Sequence, residues 1–132
     1  MTPRLTAELD FQTQALSLRA ERQRVIAGNI ANADTPGYQA RDFDFAAALR
    51  AATGRAGTGE GIARNVMTAS GRVSPALVYA VPSQTNLDGN SVDMDRERAA
   101  AADNAVRYEA TLRFANSSIR TALDAMKSHH QA

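Results

Sequence analysis

Residues 29 to 45 read Asn-Ile-Ala-Asn-Ala-Asp-Thr-Pro-Gly-Tyr-Gln-Ala-Arg-Asp-Phe-Asp-Phe, and this stretch limits the fold more than any other part of the chain. It stops a long helical pattern. Pro36 has no backbone N–H and disfavours helical geometry at Thr35, while Gly37 can take the positive φ that the third position of a type II turn requires. Asn29, Asn32 and Asp34 lie in the last turns before the break, where short polar side chains compete for backbone groups and weaken a helix. The N-terminal helix must therefore end here, and the chain must turn away.

Before the break, Thr2-Pro3 offers an N-cap followed by proline at the first helical position, and helical periodicity runs to about Ala33. Its apolar residues fall in two stripes. Phe11, Ala15, Leu18, Val25 and Ile26 share one side, and Leu5, Leu9, Leu16 and Ile30 share another, at about 100° per residue. A single partner helix would not cover both. Gly28 carries a propensity cost but would allow close approach by a neighbouring backbone.

A second helix is predicted from Asp93 to Ser128, with Asn90 or Asp93 as cap and Asp93, Asp95 and Glu97 near its positive end. Its heptad places Ala105, Leu112, Ile119 and Met126 at one position and Ala101, Tyr108, Ala115 and Ala122 at another, a seam of alternating small and large residues. Val106, Phe114 and Leu123 lie beside or off that seam and supply additional contact surface. The long connection permits either orientation; an antiparallel pair, with both termini at one end, is expected, and a parallel one stays open.

Between the helices, residues 46 to 86 change character. Gly54, Gly57, Gly59, Gly61 and Gly71 fall among Ala, Thr and Ser, a composition that buries too little apolar surface to offset its ordering entropy. Leu77-Val78-Tyr79-Ala80-Val81 reads as a strand stopped by Pro82, and a lone strand needs a partner. The fold class that follows is mainly α: two long helices at the N- and C-termini packed as a coiled-coil-like pair, joined by a turn and a Gly-rich loop with at most a short strand or hairpin. Residues 1–34 form the first helix, 35–92 the turn and flexible loop, and 93–132 the second helix, with the two helices making one domain.

Several functions are disfavoured by what is missing. Aromatics are 5% of the chain and much of the 44% hydrophobic content is Ala, so a large aromatic core is not expected. The net charge is +1 with both signs interspersed, which leaves no basic stripe for a phosphate backbone and argues against nucleic-acid binding. There is no Cys, neither His lies inside a predicted element, and no Ser sits in a nucleophile elbow, so an enzyme is not expected, nor a small-molecule substrate. Gly57-Thr58-Gly59-Glu60-Gly61 follows no strand and lacks the Lys-Ser/Thr of a phosphate loop. Asp88, Asn90, Asp93, Asp95 and Glu97 lack the spacing of a calcium loop, and His129-His130 on a frayed tail lack further ligands, so no metal or other cofactor is expected. No segment is long and apolar enough to span a bilayer, and the N-terminus lacks the pattern of a secretory signal.

Asn29 to Tyr38, following an amphipathic N-terminal helix, closely resembles the signature of bacterial flagellar rod and hook proteins. The continuation Gln39 to Phe45 looks most like that of a proximal rod member. Leu87-Asp88-Gly89-Asn90-Ser91-Val92-Asp93-Met94-Asp95-Arg96-Glu97 resembles the segment that opens the C-terminal helix in the same family. The resemblance spans most of the chain, roughly residues 50 to 75 excepted.

It implies a structural subunit whose terminal helices pack with neighbours in an inner tube and which passes torque from the membrane ring to the distal rod. The implied partners are copies of itself, other proximal rod proteins, the hook-basal body adaptor protein and the membrane (MS) ring. In transit the chain would meet the flagellar type III export gate and reach the periplasm without a cleaved signal peptide. Phe45-Ala46-Ala47-Ala48-Leu49 resembles the Phe-x-x-x-hydrophobic motif with which early substrates dock at that gate. Asn29, Asn32, Asp34, Thr35, Pro36 and Gly37 would shape the turn, and Tyr38, Phe43 and Phe45 would anchor it on a neighbour. Another proximal rod subunit, or a cytoplasmic helical adaptor or export chaperone, are the competing readings.

Overall fold

The computed structural model describes residues 2–54, 66–67, 73–82 and 86–130. Two helices dominate it, α1 over Thr2–Ala31 and α3 over Met94–His130, with a short helix α2 over Phe45–Ala52 between them. At about 1.5 Å per residue, the 30 residues of α1 and the 37 of α3 make rods of roughly 45 and 55 Å. They run antiparallel along each other: Glu97 meets Asn29, Asn104 meets Gln23 and Arg19, and Thr111 meets Arg19. No helix among the described residues is long and apolar enough to cross a membrane.

A hydrophobic core cluster lies to one side of the two long helices. Leu18, Phe43 and Ala48 form it, with Val25, Phe45, Leu49 and Ala52 packed around them, so it sits where α2 and the segment after the turn close over one side of α1. Arg19 extends this corner by laying its guanidinium 4.4 Å from the centre of the Phe45 ring, a cation–π contact. Asp44 caps α2 by accepting from the Ala47 N–H, a capping bond worth about 1 kcal/mol. The span expected to be a loop from residue 46 thus opens with a helix. Ala46, Ala48 and Ala51 are strong helix formers, and a cap with Phe45 and Leu49 on one face suffices to start a turn that tertiary packing completes.

The seam between α1 and α3 differs from the expected heptad in one row. Ala101 and Ala122 are half-buried and Ala115 is buried, as the small row requires, whereas Tyr108 in the same row is 37% exposed. The other inward row is not Ala105, Leu112, Ile119 and Met126 but Asn104, Thr111 and Ser118. Leu112, Ile119 and Met126 stay 36%, 43% and 65% exposed. Cross-helix hydrogen bonds explain the choice, since Asn104 donates to the Arg19 carbonyl at 3.0 Å and Arg19 Nε donates to Thr111 Oγ1 at 3.2 Å. On α1 the first stripe faces inward at Ala15, Leu18 and Ile26, and the second, Leu5, Leu9, Leu16 and Ile30, is only half-buried.

Strand β1 (Arg41–Asp42) pairs antiparallel with β4 (Val78–Tyr79), with Arg41 opposite Tyr79 and Asp42 opposite Val78. The strand expected near residue 78 therefore takes its partner from the segment just after the turn. A second ribbon joins β2 (Val66–Met67) to β3 (Val73–Ser74). The glycines at 57, 59, 61 and 71, and with them the candidate phosphate loop, lie outside the described residues. His129 and His130, expected on a tail beyond the helix, lie in the last turn of α3.

Candidate functional site

The two motifs singled out in the sequence, 29–45 and 87–97, lock together at one end of the helix pair. Thr35 to Tyr38 makes a turn closed by the Tyr38 N–H on the Thr35 carbonyl at 3.2 Å, with Gly37 at φ +72°. That pairing of a positive φ with the third turn position is the type II arrangement. A second turn, Asn86 to Gly89, is closed by the Gly89 N–H on the Asn86 carbonyl, with Gly89 at φ +79°. The turns lean on each other. Gly37 N–H donates to the Asp88 carbonyl at 2.9 Å, Ser91 N–H to the Tyr38 carbonyl at 3.0 Å, and Ala40 N–H to Ser91 Oγ at 2.9 Å. A Cβ on Gly89 would sit 3.6 Å from the Gly37 Cα.

Two buried asparagines fasten this elbow. Asn29, 1% exposed, gives its Nδ2 to the Arg41 carbonyl at 2.8 Å and to Glu97 Oε1 at 3.2 Å; its Oδ1 receives the Arg41 N–H and the Tyr38 hydroxyl. Both donors and both acceptor sites of the amide are used. Asn90, wholly buried, donates to the carbonyls of Asn32, Ala33 and Thr35 at 2.8–2.9 Å and accepts from the Val92 N–H. Two N–H groups serve three carbonyls, so one bond is shared. Asn90 is thus not the cap of α3. That role belongs to Asp93, whose Oδ1 accepts from the Asp95 and Arg96 N–H groups. Asn90 instead holds the carbonyls of the turn that leaves α1, which would otherwise be orphaned.

Charge gathers beside this lock. Arg22 reaches Asp42 at 3.6 Å, and a cleft of about 130 Å³ is lined by Arg22, Asp42, Arg96 and Glu97 among others. It is smaller than a usual ligand pocket, and its charges are of both signs. Burial holds the Glu97 carboxyl above the ordinary carboxylate range, with Asp42 and Asp93 adding to the rise while Asn29 and Arg96 oppose it. Burial likewise lowers the Arg19 guanidinium, helped by Arg107 and Arg22.

The expected turn residues occupy three different situations. Asn29 is buried and Asn32 half-buried, with Asn32 Nδ2 turned back onto the Gly28 carbonyl at 2.8 Å. Asp34, Thr35, Pro36 and Gly37 form an exposed rim. The aromatic anchors expected to reach a neighbour are used within the chain: Phe43 is 4% exposed in the core, Phe45 packs against it, and Tyr38 binds Asn29. Leu49 of the candidate export-gate motif also packs on the core. Gly28 has nothing within 4 Å of an added Cβ, so the close approach it would allow is not made among the described residues.

Several large apolar side chains stand exposed on α3 away from the elbow. Val106 and Phe114 are 70% and 63% exposed and, with Ala105, Ala110 and Ser117, line a shallow groove on the outer face. Leu123 is exposed as well. A second exposed group, Leu77, Val78, Tyr79 and Val81, flanks β4. Sequence reading found the α3 residues as additional contact surface but missed the contact between the two motifs, because nothing local marks an asparagine whose partners lie more than fifty residues away.

Comparison with known proteins places this geometry. The family model described as flagella basal body rod protein matches residues 9–39, which cover most of α1 and the first limb of the elbow. The chain is 46% identical to the flagellar basal body rod protein FlgB of Salmonella typhimurium over 96% of its own length and 98% of the relative's. It is 43% identical to FlgB of Escherichia coli over 97% and 99%, and 46% identical to FlgB of Proteus mirabilis over 92% and 94%.

Proposed function

Because the chain belongs to the FlgB family of flagellar basal body rod proteins, we propose that it is a structural subunit of the proximal rod, working by helix-to-helix assembly and not by catalysis. The observation that carries this reading is the contrast in how α3 is used. Its buried face is small and polar, whereas Val106, Leu112, Phe114, Ile119, Leu123 and Met126 are left exposed. So many large apolar groups on one helix are an interface in search of partners, and contacts between unlike faces build open helical assemblies when the rotation does not close.

In this reading, copies of the chain and other proximal rod proteins cover α3 and the half-buried second stripe of α1. The exposed rim Asp34, Thr35, Pro36 and Gly37 meets a neighbour, with the hook-basal body adaptor protein and the MS ring as further contacts. The subunit stands in the periplasmic part of the basal body and transmits torque. It travels there through the type III export gate without a cleaved signal peptide. Phe45 and Leu49 are packed on the core of the folded subunit, so docking of this motif at the gate would use the chain before it folds.

A strain lacking the protein should lose motility and rods, and a tagged copy should restore both and co-purify with basal bodies. In the same strain, Pro36→Ala with Gly37→Ala should impair rod assembly more than it lowers helix content by circular dichroism. Normal basal bodies in the deletion strain, or recovery of the tagged protein only in the cytoplasm with export substrates, would favour the adaptor or chaperone reading instead.

A further inference from the structure

The small row of α3, Ala101, Tyr108, Ala115 and Ala122, can be completed in two ways. The neighbouring row on one side is Asn104, Thr111 and Ser118; on the other it is Ala105, Leu112, Ile119 and Met126. The two rows stand one residue apart, about 100° around the helix, so choosing one over the other rolls α3 about its axis by about 50°. Apolar burial alone favours the second row, because Leu, Ile and Met gain far more from leaving water than Asn, Thr and Ser. The folded chain nevertheless turns the polar row inward.

It does so at a visible cost. Asn104 is 3% exposed, and its Nδ2 donates to the Arg19 carbonyl and to Gln23 Oε1 at 2.9 Å, but its Oδ1 is buried with no hydrogen-bond partner. An orphaned buried carbonyl is destabilising, and a polar group kept at a helix seam is best attested as a device that specifies arrangement at the expense of stability. Thr111, one heptad on, is held by the Arg19 guanidinium and gives its own hydroxyl hydrogen to the Arg107 carbonyl. Arg19 is itself fixed over Phe45, so the rotation of α3 is tied to the α1–α2 corner.

We propose that Asn104 and Thr111 are rotational keys, residues that set which face α3 presents: they hold the polar row against α1 and thereby keep Leu112, Ile119 and Met126 outward for a second copy of this chain. The antiparallel register brings Leu16, Leu9 and Leu5 of α1 level with Leu112, Ile119 and Leu123, on the flank of the pair opposite α2. An apolar helix is the shape that such a two-helix flank accepts. The identity of the partner rests on the rod reading above, whereas the rotation of α3 does not.

The absence of Cys makes the test clean. Ile119→Cys and Met126→Cys are introduced singly into the full chain, and thiol labelling is timed with and without Asn104→Leu plus Thr111→Leu. If the keys hold the rotation, the double variant keeps its helix content, melts at a higher temperature, and labels roughly tenfold more slowly at both positions as the row rolls inward. Unchanged labelling overturns the proposal, even if the melting temperature rises, because Asn104 would then be merely a poor core residue. Asn104→Ala with Thr111→Ala removes the bonds without adding bulk and should also slow labelling; loss of helix in both double variants overturns the proposal too. Motility is scored separately. Slow labelling with normal motility would uphold the keys and refute the assembly role of this face, and unchanged labelling with lost motility would do the reverse.

Discussion

The elbow and the outer face of α3 solve opposite problems. At the elbow the two asparagines that fasten it are buried and paired: Asn29 uses every hydrogen-bonding site it has, and Asn90 gathers three carbonyls from a single turn. On α3 beyond residue 105 large apolar groups stand in water, from Val106 at 70% to Met126 at 65% exposure. One region is finished within the chain and the other is not. The difference teaches that the subunit fixes the geometry of its elbow within itself, while α3 keeps large apolar surface that the described part of the chain does not bury.

If that division holds, substitutions at the two regions should separate stability from assembly. The largest effect on stability is expected from Asn90→Ala, which strips the donors from three carbonyls and the acceptor from Val92 N–H; a loss of about 3 kcal/mol in chemical denaturation is expected. A loss below about 1 kcal/mol would mean that water replaces the amide and that the elbow is not the fixed part. Val106→Ser with Phe114→Ser should change the stability of the isolated chain by about 0.5 kcal/mol or less. The same variant should fail to enter basal bodies. Normal incorporation would show that this groove is not an assembly face and would blunt the comparison at its apolar end.

The smallest effect concerns Glu97. Its carboxyl is raised above the ordinary range, so the folded chain holds that proton more tightly than the unfolded one. The associated stability is fully present below the unfolded value and is lost as pH rises through the raised one. Glu97→Gln keeps an oxygen for the Asn29 Nδ2 and removes the charge. Variant and parent should therefore be equally stable near about pH 4, with the variant gaining on the parent toward about pH 7. A gap that shrinks with rising pH would mean that Arg96 outweighs burial at this site.

The parts legible in the sequence were those with local causes. Pro36 and Gly37 announce their turn by the φ values they permit, and the acids at 93, 95 and 97 announce the start of α3. The two helices followed from periodicity, whereas their antiparallel sense, expected with a parallel one left open, is fixed by the cross-helix bonds of Glu97, Asn104 and Thr111. Where two causes competed, periodicity was insufficient. It found the small row of α3 but chose Leu112, Ile119 and Met126 as its companion, because size cannot report that Arg19 and Gln23 would offer hydrogen bonds to Asn104 and Thr111. The eight residues of α2 had a readable signal in the Asp44 cap, overshadowed by the glycines that follow. Asn90 looked like a helix cap because it precedes a helix, and its true partners are visible only in three dimensions.

The span between Asn90 and its partners has a consequence for how the chain comes to be shaped. Thr35 and Asn90 are separated by 55 residues, and closing so long a loop is slow relative to local helix formation. A chain delivered gradually from its N-terminus would present α1 and its turn long before residue 90 arrived to complete them. Until then the bend would be held only by its local bonds, those of Asn29 with Tyr38 and Arg41 and the closure of the Thr35 turn. In a chain so delivered the bonds from Asn90 would form last, and the elbow would engage as a latch only once residue 90 had followed residue 35.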